Sequence, residues 1–137
     1  MPLKNPPSWF ISSLSFANNS TVICVDDSIS IWHAWQERFT TVDGNIDLRY
    51  CSSKEELLYE IEKRNEKPCT YLVDYEFSGS GYTGLELVDI IQSLGIPNNR
   101  VFLVTSRSNE MEVQNLCKSR EIYMIPKFLP LKWICRL

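Results

Sequence analysis

The chain has 137 residues, 44% apolar and 23% charged, which suits one globular domain able to bury a core. A net charge of −3 and a pI near 5.2 give no electrostatic basis for a nucleic-acid surface. No apolar run approaches the roughly 18 residues of a membrane span and no basic-then-apolar leader opens the chain, so no membrane contact is expected of this segment and a cytoplasmic setting is.

Residues 1–20 differ in character from the rest of the chain. "PLKNPPSWF" holds three prolines, and "SFANNS" is a polar turn signal. The stretch is expected to be a linker or arm, anchored by Trp9 and Phe10, with neither strand nor helix. The folded domain is then 21–137. From Thr21 a rhythm sets in. "TVICV" is a short apolar run rich in β-branched residues. "SISIWHAWQERF" has Ile31, Trp35 and Phe39 at four-residue spacing, a helix period, with Ser28 or Ser30 as cap. His33 lies within it and reads as a helix-packing residue. "IDLRYC" alternates like a strand, and "SKEELLYEIEKRN" is a helix capped by Ser52 or Ser53. "TYLV" is a strand, "TGLELVDIIQSLG" a helix ending at Gly95, "VFLVT" a strand and "NEMEVQNLCKSR" a helix. "IYMI" is a strand, and "FLPLKWICRL" a short final helix interrupted by Pro130.

The order is β-α repeated five times. Such alternation predicts an α/β fold: a doubly wound five-stranded parallel sheet, strand order 2-1-3-4-5, with helices on both faces. Five cysteines with no CxxC pair, Cys24 and Cys51 inside strand-like runs, point to reduced core thiols rather than disulfides or zinc.

In sheets of this kind a site forms beyond the carboxyl ends of the strands. Asp26 and Asp27 follow the first strand. Asp74 ends the third, in "TYLVDYEFSG". Thr105 ends the fourth, and Pro126 and Lys127 end the fifth. Singly, each has an ordinary reading: the aspartate pair as a helix cap, Asp74 as a turn residue, Thr105 as a strand end, Lys127 as a surface charge. Jointly, four strands carry reactive or ligating types to one edge. Two carboxylates about 4 Å apart repel by about 4 kcal/mol at an effective dielectric near 20. A cation relieves this, and oxygen ligands without histidine or thiol favour Mg²⁺. A carboxylate beside Mg²⁺, a lysine and a hydroxyl suits a phosphoryl acceptor: Asp74 as nucleophile, Lys127 and the metal spreading charge, Thr105 bonding a phosphoryl oxygen.

The motifs "VDD" at 25–27, "LVDYE" at 72–76, "TGLEL" at 83–87, "LVTSR" at 103–107 and "PK" at 126–127 together resemble the receiver domains of two-component response regulators, over roughly residues 20 to 137. The resemblance implies the flavodoxin-like receiver fold. It implies Asp74 as phosphoacceptor, catalysing its own phosphorylation and dephosphorylation. Mg²⁺ would be held by the side chains of Asp27 and Asp74, by Asp26 mostly through water, and by the backbone carbonyl of Glu76. Thr105 and Lys127 would contact the phosphoryl group. The implied partners are a histidine kinase, or the chain's own kinase domain in a longer protein, and a histidine phosphotransfer protein. "PPSWF", "DYE", "TGL" and "LVTSR" are similar to receivers at the carboxyl end of hybrid sensor histidine kinases. On that reading the chain is a fragment of a longer kinase and the arm its interdomain linker; a stand-alone receiver is the alternative.

Some positions depart from the family pattern. Ser78 stands where proline is common, the loop "EFSGSGYTG" is about two residues long beyond the usual, and Met124, after Tyr123, stands where an aromatic switch residue is frequent. Any switch should therefore centre on the loop after Thr105, with Tyr123 or Met124 repacking. Glu76 and Arg107, each two residues beyond a site residue, are expected to pair across the mouth and slow hydrolysis. Two rival functions remain. A haloacid-dehalogenase-like phosphatase would use Glu76 as general acid but has no place for the Asp26–Asp27 pair. A degenerate receiver would act only as a docking module.

Overall fold

The computed structural model describes residues 13–17, 19–40, 45–63, 69–77, 81–107, 109–126 and 132–136, with 13–17, 38, 126 and 132–136 described as backbone only. In chain order the elements are β1 (Ser13–Ala17), β2 (Ser20–Val25), α1 (Ile29–Phe39), β3 (Ile46–Cys51), α2 (Lys54–Lys63), β4 (Cys69–Asp74), α3 (Gly84–Ser93), a 3₁₀ turn (Asn98–Arg100), β5 (Val101–Thr105), α4 (Met111–Ser119), β6 (Tyr123–Pro126) and β7 (Lys132–Arg136). Five strands form one parallel sheet in the order β3-β2-β4-β5-β6. Counted from β2, this is the expected 2-1-3-4-5 order.

Strand periodicity divides the core in two. Along β2, Ile23 and Val25 face one side of the sheet, with Tyr71, Val73 and Leu103 from its neighbours. On that side Leu57 of α2, Leu87, Val88 and Ile91 of α3, and Val113 and Cys117 of α4 complete the larger cluster. Val22 and Cys24 face the other side, where Leu72, Val104 and Ile125 meet Trp35 of α1. Helices thus cover both faces, as expected.

Local signals set the helix ends. The N–H of Glu56 donates to Ser53 Oγ, and Glu56 Oε1 accepts in return from the N–H and hydroxyl of Ser52 at 2.7 and 2.6 Å, so Ser53 caps α2 in a variant of the capping box. Gly95 closes α3 at φ +86° and its N–H reaches the Gln92 carbonyl, a conformation that needs glycine. The bidentate ion pair of Arg120 with Asp89, at 2.8 and 3.1 Å, ties the end of α4 to α3.

Three expectations are corrected. The arm is not devoid of regular structure: Ser13–Ala17 is a strand. The last segment is not helical at 132–136. It is β7, which pairs in parallel with β1 from Ser13↔Lys132 to Ala17↔Arg136. Pro130 lies outside the described residues, as do Trp9 and Phe10. His33 is on α1 but exposed, with Nδ1 3.2 Å from Gln36 Oε1, so it is a surface residue and not a packing one.

Cys24, Cys51, Cys69 and Cys117 are buried and reduced, as expected of core thiols. Burial pushes the Cys51 thiol up to about 12 and that of Cys117 to about 11. Since the thiolate is the nucleophile, none of the four should react with an alkylating agent at pH 8 in the folded protein, and all should in urea. Peptide mapping after alkylation checks this. Rapid native modification of any of them would contradict the packing.

Candidate functional site

The carboxyl ends of β2, β4 and β5 lie along one edge of the sheet because all its pairings are parallel. β2 stops at Val25, and the N–H of Asp26 still donates to the Cys51 carbonyl at 3.0 Å. The side chain of Asp26 is 2% exposed, and its Oδ1 accepts the Ser28 N–H at 2.8 Å. Asp26 thus forms a turn that sets the entry to α1 at Ser28, close to the helix-cap role that is its ordinary reading. Asp74 is the last residue of β4, in register with Val104, and is also 2% exposed. Carboxylate oxygens of Asp26, Asp27 and Asp74 lie within 4.8 Å of one another, with Asp27 the most open of the three. The negative field is felt nearby. Burial first, then Asp26, raises the Cys24 thiol well above its ordinary value; burial first, then Asp26, Glu56 and Asp27, raises the Tyr50 hydroxyl.

Behind Asp74 the backbone leaves no room. A Cβ on Gly84 would lie 1.9 Å from the Asp74 carbonyl oxygen and 2.8 Å from the Tyr75 Cα. The Gly84 N–H donates to the Tyr75 carbonyl at 3.1 Å, and the Tyr75 N–H to the Val104 carbonyl at 2.9 Å. The first residue of α3 is thus pressed onto the strand end that presents Asp74. The loop between them is tied elsewhere as well: Tyr82 packs on Phe77, and its hydroxyl accepts the Lys54 N–H at the start of α2.

Thr105, fully buried at the end of β5, makes two directional bonds. Its Oγ1 donates to Glu76 Oε1 at 2.9 Å and accepts the Arg107 N–H at 2.9 Å. The Ser106 hydroxyl donates to the same Glu76 oxygen at 3.2 Å. Arg107 Nε stands 4.0 Å from that oxygen and 3.8 Å from Glu110 Oε2. A cavity of about 290 Å³ opens beside them, lined by Tyr75, Glu76, Phe77, Thr83 and Arg107.

Of the residues expected at the site, Asp26, Asp27 and Asp74 come together, and Thr105 ends the strand next to Asp74's. Lys127 lies outside the described residues, as does Ser78. Glu76 and Arg107 approach each other as expected, but the carboxylate of Glu76 is turned primarily toward Thr105 and Ser106. Met124 is buried and Tyr123 is 45% exposed. Two features were not foreseen. Ser106 was noted in a motif without a role, and Gly84 was read only as part of a helix start. A glycine as first residue of an amphipathic helix, where a better helix former was available, was the signal that a close approach was needed.

No family model and no curated protein matches the chain. Solved structures do. The chemotaxis protein CheY4 of Vibrio cholerae is 19% identical with a TM-score of 0.64, over 81% of this chain and 88% of that one. The receiver domain of NtrX from Brucella abortus is 22% identical with a TM-score of 0.60, over 83% of each. The receiver domain of the histidine kinase CKI1 from Arabidopsis thaliana, solved with Mg²⁺ and BeF₃⁻, is 14% identical with a TM-score of 0.59, over 80% of this chain and 82% of that one. The fold is the receiver fold of response regulators. Among the described residues no helix is long and apolar enough to cross a membrane.

The contact at Gly84 yields a graded expectation. Gly84→Ala should destabilise the domain by about 3 kcal/mol or more, because backbone cannot yield as a side chain can. Gly95→Ala meets open space and bears only the left-handed backbone cost of about 1–2 kcal/mol. Urea unfolding of both variants checks this, and equal costs would contradict the close approach.

Proposed function

We propose that the chain is a phosphoacceptor receiver in two-component signalling, taking a phosphoryl group onto Asp74 with Mg²⁺ bound. The observation that carries this reading is the cluster of Asp26, Asp27 and Asp74, two of them buried, at the end of the central strands. As a donor set these are all hard carboxylate oxygens, with no imidazole or thiolate among them, which fits Mg²⁺. Asp26, Asp27 and Asp74, with the Glu76 main-chain carbonyl, would hold it. When bound, the ion neutralises the clustered carboxylates and the charge on the transferred oxygens.

The chain's own residues supply the remainder. A carboxylate oxygen of Asp74 forms a bond to phosphorus. The bond from phosphorus to the donor atom breaks, and its electron pair leaves with the donor, which is then protonated. Burial holds the Asp74 side chain at the strand end and limits the approach of water. The Thr105 hydroxyl and the Lys127 ammonium bind transferred oxygens. The donor is a phosphohistidine on a histidine kinase, on a kinase domain within a longer form of this chain, or on a histidine phosphotransfer protein. A receiver of a histidine kinase is among its structural neighbours, which supports that choice of partner. The phosphatase alternative is disfavoured because it has no place for the Asp26–Asp27 pair that is gathered with Asp74. A docking-only module gives no reason for three carboxylates to be gathered at one strand edge.

Incubation with acetyl phosphate and Mg²⁺ should add a single phosphoryl group by intact mass. Chelation of the metal should prevent the addition, and Asp74→Asn should abolish it. Undiminished labelling of that variant would overturn the assignment. Asp27→Ala should weaken Mg²⁺ binding by about tenfold or more in a calorimetric titration, equivalent to about 1.4 kcal/mol. Equal affinity in variant and wild type would remove Asp27 from the site.

A further inference from the structure

The hydrogen bonds around Glu76 describe an anion site that the protein fills itself. Thr105 Oγ1 and Ser106 Oγ both donate to Glu76 Oε1, and the Arg107 guanidinium stands 4.0 Å from the same oxygen. Two hydroxyls and a cation around one carboxylate oxygen is the arrangement that an oxyanion recruits. A threonine hydroxyl has one proton to donate. With Thr105 Oγ1 already accepting from the Arg107 N–H, that proton goes to Glu76 in this structure. It cannot go to a second anion at the same time.

On the receiver reading, from which this step proceeds, Thr105 must donate to a phosphoryl oxygen on Asp74. We infer that Glu76 is an internal stand-in for the phosphoryl group: it holds Thr105, Ser106 and Arg107 in the resting state and must release the Thr105 proton when Asp74 is phosphorylated. The cavity lined by Tyr75, Phe77, Thr83 and Arg107 gives its side chain somewhere to go. Glu76 lies at the start of the loop that leaves Asp74, and its side chain is 28% exposed, so the swing needs no rearrangement of the core. The same contact ties the loop after Asp74 to the loop after Thr105. Its exchange for a phosphoryl oxygen removes one tie between the two loops, which gives phosphorylation a mechanical output that does not require an aromatic residue at position 124.

The test uses the full chain, with beryllofluoride and Mg²⁺ as the probe, in wild type, Glu76→Ala and Glu76→Gln. In ligand-free protein the Thr105 γ2-methyl resonance should move in E76A, where its acceptor is lost, and stay near the wild-type position in E76Q, where an amide oxygen still accepts. Beryllofluoride should bind E76A about tenfold tighter than wild type, because no internal hydrogen bond to a charged group must first be broken. E76Q should gain less. An unmoved Thr105 methyl in ligand-free E76A overturns the inference, as does equal affinity in E76A and wild type. An equal gain in E76Q and E76A would mean relief of charge alone and would overturn it too. These outcomes leave the receiver reading intact as long as wild type binds the probe. Failure of wild type and both variants to bind it would overturn that reading, and the stand-in with it.

Discussion

Everything at the functional edge depends on one constraint: three carboxylates are brought within 4.8 Å and two of them are withdrawn from water. Burying charge is costly unless it is hydrogen-bonded, paired or joined to a cation. The parallel sheet makes the crowding unavoidable, because it delivers the ends of β2 and β4 to the same edge. The protein answers part of the cost itself. Asp26 takes the Ser28 N–H and so doubles as the turn into α1. Asp74 is fixed from behind by Gly84, whose missing side chain lets α3 sit on the strand end. On the proposed reading, Mg²⁺ answers the remainder, and the crowding becomes the reason that metal binding and phosphoryl chemistry occur at one place.

The neighbouring strand shows a different economy of charge. Thr105 carries no charge, yet it sits at the centre of a network with Glu76, Ser106 and Arg107. Among the described residues, the rim after β4 and the rim after β5 meet at one carboxylate oxygen, Glu76 Oε1. An exposed ion pair such as that of Arg107 with Glu76 contributes little to stability by itself, about 0–1 kcal/mol. Its consequence is positional: it helps decide where the Thr105 proton points. Stability of the domain resides in the two apolar layers, while on the inferred reading the rim contacts set the state of the site.

Most of the fold was legible because its signals are local. Runs such as "TVICV" and "VFLVT", the four-residue spacing of Ile31, Trp35 and Phe39, and Gly95 after a helical pattern each act within a few residues. The sheet order followed from the alternation and from the handedness of crossovers. The pairing of Ser13–Ala17 with Lys132–Arg136 was not legible, since it joins distant segments and the alternation of Ser13-Leu14-Ser15-Phe16 is short and runs straight into the turn signal "SFANNS". The exposure of His33 was legible and was missed: it stands two residues after Ile31 and two before Trp35, about 200° round the helix from the stripe that Ile31, Trp35 and Phe39 form. At the site, the strand-end aspartates and Thr105 could be read from position alone. The hydrogen bond from Thr105 to Glu76 could not, because it depends on the path of a loop rather than on spacing.

The central claim is that Asp74 carries the phosphoryl group, and borohydride trapping tests it at the level of the residue. Reduction of an acyl phosphate converts its aspartate to homoserine, which peptide mapping locates. After exposure to acetyl phosphate and Mg²⁺, the account predicts homoserine at position 74, and at that position only, with none formed when the donor is left out. Homoserine at another aspartate, or phosphate found as a stable ester on a serine or threonine, would contradict it.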